Sequence, residues 1–142
     1  MKISKRLGVL LSTGTLMAGA LVGLGSGTAS AAPSVSFTSY SHSNGLELTV
    51  HLDGHVAGYG DWFIDPEGSQ PGDALAATDS YGDGYWIAAN LDTGRVASTE
   101  GHSAPYSVTK TGNLPEGEWH DMWVCVGKGT WYQCSAKHAV HA

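Results

Sequence analysis

The sequence predicts an all-β protein, a small immunoglobulin-like β-sandwich of about seven strands with one hairpin disulfide, the alternatives being a small barrel or a crystallin-like sandwich. Three observations carry that expectation. Short apolar or aromatic runs are separated by turn residues every 8–12 positions or so, as in sandwich domains, and no long window keeps helical spacing. Leu46, Leu48, Val50 and Leu52 alternate with Glu47, Thr49, His51 and Asp53, the period of two that a half-buried strand requires. Cys125 and Cys134 flank a Gly129-Thr130 turn, so one cross-strand bridge closes a hairpin.

The elements follow in chain order. Lys2, Lys5 and Arg6 precede an apolar stretch from Leu7 to Leu24, and Ala29-Ser30-Ala31 supplies the small residues a signal peptidase needs. Residues 1–31 are therefore expected to be a signal peptide, and 32–142 a single secreted domain. Glycine, serine and threonine interrupt the apolar stretch, and no cysteine stands at the cleavage site. Neither a membrane span nor a lipid anchor is expected. Val35–Tyr40 is extended, Ser41–Gly45 turns, and the alternating strand covers Leu46–Asp53. Asp61–Asp65 holds Trp62, Phe63 and Ile64 as a short buried strand, and Pro66–Gly72 is a loop. Gly84–Leu91 and Arg95–Thr99 form a hairpin through Asp92-Thr93-Gly94, and Tyr106–Lys110 is a further strand. Leu114-Pro115-Glu116-Gly117 turns into the long strand Glu118–Val126, and the last strand covers Trp131–Ala139.

The register of the final hairpin follows from its turn. Glycine first in a two-residue turn is the type II′ requirement, and it opposes Lys128 to Trp131, Gly127 to Tyr132, Val126 to Gln133 and Cys125 to Cys134. The cysteines then fall at a non-hydrogen-bonded pair, where Cα atoms approach to about 4.5 Å, within disulfide reach. Continued outward, the same register sets Asp121 opposite His138.

Composition narrows the function. The chain has 13 acidic and 7 basic residues, and loss of the leader leaves four basic residues against the same acids, a net charge of −9. That charge argues against nucleic acid and anionic membranes and favours a cationic partner or a merely soluble exported protein. Seven histidines invite a metal reading. On a strand, however, His51 and His55 would stand about 13 Å apart, and no cysteine pair has zinc-ligand spacing. Asp79–Gly84 is acidic and glycine-rich but lacks the ligand ladder of a calcium loop. There is no nucleophile elbow, phosphate loop or zinc-protease motif. No catalytic residue, no metal and no cofactor is expected.

Aromatic residues are in excess. Five tryptophans and six tyrosines accompany only two phenylalanines. A sandwich core needs two or three such rings, so others are expected at the surface as interface anchors or sugar-stacking platforms. Trp131 and Tyr132 adjoin the hairpin tip, and Tyr81 and Tyr85 flank the acidic loop. The segment 32–40 is a second candidate. It pairs inside its own sheet or donates a strand to another protein, with Val35, Phe37 and Tyr40 facing that partner.

Some of these residues resemble known families. Leu114-Pro115-Glu116-Gly117-Glu118-Trp119, with alternation up to Cys125, resembles the corner entering the penultimate strand of fibronectin- and immunoglobulin-type domains. Trp119 stands where those domains usually carry tyrosine. The Ala-Ser-Ala site, the Ala-Pro start, the acidic glycine-rich β domain and the single cysteine pair resemble small secreted proteins of high-GC Gram-positive bacteria. In overall character the chain is similar to the small adaptor subunit of umbrella toxin particles. That likeness implies antibacterial competition, with the chain linking a lectin subunit to a toxin subunit. Ala32-Pro33-Ser34-Val35-Ser36 is similar to the start of the enediyne-binding apoproteins, which carry two disulfides where this chain has cysteines for one. The expected function is a secreted, non-catalytic adaptor that binds another secreted protein. The alternatives are an inhibitor of an exported hydrolase, presenting Pro66–Gly72 or the hairpin tip, and a carbohydrate- or small-molecule-binding sandwich.

Overall fold

The alternation of Leu46, Leu48, Val50 and Leu52 puts four side chains on one face, and that face lines the core, none of the four being more than 5% exposed. The computed structural model describes residues 31–142, so the expected leader lies outside the described residues except for Ala31. Within them the chain is all-β, in two antiparallel sheets with the disulfide Cys125–Cys134.

β1 (Val35–His42), β2 (Gly45–Leu52), β3 (His55–Phe63) and β4 (Ala74–Asp79) run as a meander in the first sheet. The chain then crosses to the second sheet for β5 (Trp86–Leu91) and β6 (Val96–Ser98), and β7 (Tyr106–Lys110) returns to pair with β4. β8 (Trp119–Lys128) crosses again to lie beside β5, and β9 (Trp131–Cys134) and β10 (His138–His141) follow one another along its other edge. Pairing β4 with β7 around two strands of the opposite sheet is the crossover that makes the sandwich immunoglobulin-like. The core lies between the sheets. The four β2 residues, Trp62 and Leu75 face Ile87, Leu91, Met122, Val124 and Val126, all essentially without exposure to solvent.

Ten strands stand among the described residues rather than about seven. No sequence signal marks Ala74–Asp79 as a strand, because alanine is a weak strand former and the segment shows no alternation. Its place between β3 and β7 overrides that preference, and Ala74, Leu75 and Ala77 have no exposure. The segment expected over Asp61–Asp65 is the end of the longer β3, which begins straight after an Asp53-Gly54 turn. That turn also separates His51 and His55, which stand on neighbouring strands instead of one.

The hairpin disulfide has the expected register. Lys128 opposes Trp131, Gly127 opposes Tyr132, and Cys125 and Cys134 approach to 4.0 Å between Cα atoms. Gly129 has the left-handed φ of +58° that its turn position demands. The expected single strand Trp131–Ala139 is broken in two. Ser135 donates its amide to the Val124 carbonyl at 2.8 Å, and its hydroxyl accepts the Val124 amide at 3.1 Å. One extra residue is absorbed there, so β10 resumes one position out of register. His138 faces Met122, Asp121 faces Ala139, and the Asp121 carboxylate lies 3.6 Å from Lys137 Nζ instead of pairing with His138. Among the described residues no helix is long and apolar enough to cross a membrane.

Candidate functional site

A bulge in β3 starts the site. Val50 pairs with Gly58 but His51 pairs with Val56, so Ala57 is an extra residue, and its carbonyl accepts the Ser80 amide at 2.9 Å. One inserted residue exchanges the two faces of a strand. His55, which would otherwise face outward, is opposite core residue Leu52 and turns toward the end of the sandwich.

The loop between β4 and β5 meets it there. Two aspartates shape this loop as Asx turns: Asp79 Oδ1 accepts the Tyr81 amide at 3.2 Å, and Asp83 Oδ1 accepts the Tyr85 amide at 2.9 Å. The His55 and Tyr81 rings lie 4.4 Å apart between centroids, and His55 Nε2 is 3.6 Å from Asp83 Oδ2. From the end of β8, Lys128 donates to the Asp83 carbonyl at 3.0 Å and places its ammonium 4.8 Å from the Tyr85 ring centre. Trp131, the first residue of β9, meets Tyr85 edge-on at 6.0 Å. Tyr81, His55, Asp83, Lys128, Tyr85 and Trp131 thus form one continuous surface. The disulfide ties the hairpin that carries Lys128 and Trp131.

Beside this surface lies a cavity of about 430 Å³ lined by Asp79, Tyr85, Trp86, His102 and Ser103. Asp79 is 4% exposed, and its burial raises the carboxyl above its ordinary value against the lowering pull of the Tyr81 amide, with the Asp83 charge adding to the rise. Four buried side-chain polar atoms among the described residues lack a hydrogen-bond partner, and three of them, His55 Nε2, Asp83 Oδ2 and Trp86 Nε1, belong to this end. Two of these, His55 Nε2 and Asp83 Oδ2, are the ion pair that face each other at 3.6 Å, which leaves the Trp86 indole nitrogen as the exception here to the rule that buried polar atoms are paired. Among the described residues no three His, Cys, Asp or Glu side chains are grouped as a metal shell requires.

No protein-family model, no curated protein and no solved structure matches this chain. Geometry alone therefore ranks the expected site residues. Tyr81, Tyr85 and Trp131 come together as described. Tyr132, 66% exposed, follows Trp131 and opposes Gly127 on the outer face of the same hairpin. Val35 and Phe37 lie within their own sheet. They pair with Leu52 and Val50, and both side chains pack against the core. Tyr40 is exposed on the first sheet and stacks with His42 toward the other end of the sandwich, away from the cluster. Only one tryptophan, Trp62, is fully buried, fewer core rings than expected.

Sequence reasoning missed His55, Asp83, Lys128 and Trp86. Asp53-Gly54 was the available signal for His55, because that dipeptide marks a two-residue hairpin turn and so the start of a strand. The bulge and the approach of Lys128 to Asp83 left no local trace.

Proposed function

We propose that the mature chain is a secreted, non-catalytic binding module that docks another exported protein through this end of the sandwich. The observation that carries the reading is the unbroken aromatic and charged surface from Tyr81 to Trp131, beside the buried Trp86 indole nitrogen, which has no hydrogen-bond partner among the described residues. Tyr and Trp anchors on a rigid frame are what protein interfaces use, and the disulfide-tied hairpin reduces the ordering that binding must impose. The acidic balance favours a partner with a basic face. The resemblance to the small subunit of umbrella toxin particles makes an exported lectin and an exported toxin subunit the first partners to try.

The test is recovery of tagged mature protein from culture fluid of the producing cells. A stoichiometric protein partner is expected, and Tyr85→Ala or Trp131→Ala should weaken its binding about tenfold or more, the loss of about 1.4 kcal/mol or more typical of an anchor residue. Recovery of the chain only as a free monomer at micromolar concentration would overturn the reading.

A further inference from the structure

We propose that the opposite end of the sandwich carries a second binding site, for a neutral sugar residue, with Trp119 as its stacking platform. The site is separate from the docking surface above and does not depend on it.

Trp119 is the first residue of β8 and is 68% exposed, a large apolar ring left in solvent by a fold that buries Trp62 completely. It is held in place. His141 on β10 is its direct cross-strand partner, with the two rings edge-on at 5.1 Å. The His141 carbonyl accepts the Trp62 indole N–H at 2.9 Å, which ties that strand end to the core. The facing wall is the turn between β1 and β2. There Asn44 donates its side-chain amide to the Asp65 carbonyl and to Glu67, and its backbone carbonyl accepts the Ile64 amide, so the turn is locked to the end of β3. Tyr40, also 66% exposed, stacks on His42 beside this wall.

Between the walls is a cavity of about 230 Å³. Its base is apolar, from Leu46, Trp62 and Val140, while Ser41, Ser43, His42 and His141 supply hydroxyl and imidazole groups. Among the described residues no Asp, Glu, Lys or Arg lines it, so no permanent charge there selects a charged ligand. The volume is below the roughly 300–1,000 Å³ of pockets for drug-sized ligands and suits a single ring. An aromatic face for the C–H side of a ring, a polar wall for its hydroxyls and no charge together describe a neutral pyranose. Both walls are fixed by hydrogen bonds, so the site is preorganised.

The test uses the mature chain with cellotriose, chitotriose and mannotriose as neutral probes and trigalacturonic acid as the charged control. The Trp119 indole N–H signal in two-dimensional NMR reports binding. At least one neutral trisaccharide is expected to shift that signal. Trp119→Ala should weaken binding about tenfold or more while leaving the thermal midpoint unchanged, because the ring is exposed. His141→Ala should weaken it by a smaller factor, and Tyr85→Ala and Trp131→Ala should bind the sugar as the parent does. The proposal is overturned if no neutral trisaccharide moves the signal at about 10 mM, or if Trp119→Ala binds unchanged. It is equally overturned if the charged control binds better, or if a protein partner moves the signal and no sugar does.

Discussion

The indole of Trp86 occupies the space that a side chain at Gly127 would need: a Cβ on Gly127 would lie 2.2 Å from Cζ2 of Trp86. The two residues are direct partners on β5 and β8, and Tyr132 opposes Gly127 on its other side. Glycine at this one position lets the Trp86 ring lie across β8. Gly127→Ala is therefore expected to displace that ring and cost about 1–3 kcal/mol, the range for overpacking. Denaturant unfolding gives the energy, and a changed near-UV circular dichroism spectrum reports the displaced indole.

Asp61 makes stability depend on pH. It faces Glu47 directly across β2 and β3, and burial first, then the Glu47 charge, pushes its carboxyl from 3.8 up to about 6. The folded chain thus holds a proton that the unfolded chain releases near 3.8. The stabilisation by the protonated form is complete below about pH 3.8 and is lost as pH rises through about 6. Asp61→Asn keeps the shape without the charge. It should raise stability by about 1–2 kcal/mol at pH 7, after allowance for the solvent that still reaches the group, and by little at pH 4. Equal gains at the two pH values would contradict the assignment.

Residues of β1 belong to their own sheet. Val35 and Phe37 cover one margin of the core, and Asp53 donates its amide to the Ser34 carbonyl at 2.8 Å while its carboxylate accepts the Ser34 amide. Phe37→Ala should cost about 1–2 kcal/mol, less than for a fully buried ring because Phe37 is only half-buried. Removal of residues 32–42 should lower the thermal midpoint steeply. A truncated chain that melts as the parent does would instead favour strand donation.

The disulfide closes a short loop, for which the chain-entropy relation gives roughly 2.5–3 kcal/mol. The double replacement Cys125→Ser, Cys134→Ser should lose about that much in denaturant unfolding. It should also weaken partner binding, since Lys128 and Trp131 lie on the hairpin the bridge ties. Unchanged binding with reduced stability would move the docking surface away from the hairpin.

Part of this was legible because it is local. The alternation in Leu46–Leu52 identifies a core strand, and Gly129-Thr130 sets a register that carries Cys125 to Cys134 without further information. The same register fails beyond Ser135, where the side chain and amide of that one residue both bond Val124 and shift His138 from Asp121 to Met122. Ala74–Asp79 was not legible at all. Its strand conformation comes from the neighbours β3 and β7 and not from its own residues.

The order of residues is enough for the all-β class, the final hairpin with its disulfide, and an acidic domain with more Trp and Tyr than a core requires. Turn chemistry and period-two patterning act between residues close in the chain, so they can be read in order. Which aromatics meet and which remain exposed is settled by how the folded sheets pack. The Ala57 bulge that turns His55 toward Asp83, the arrival of Lys128 from β8, and the exposure of Trp119 beside His141 each depend on pairing between distant segments. Those pairings exist only once both sheets have closed over one core.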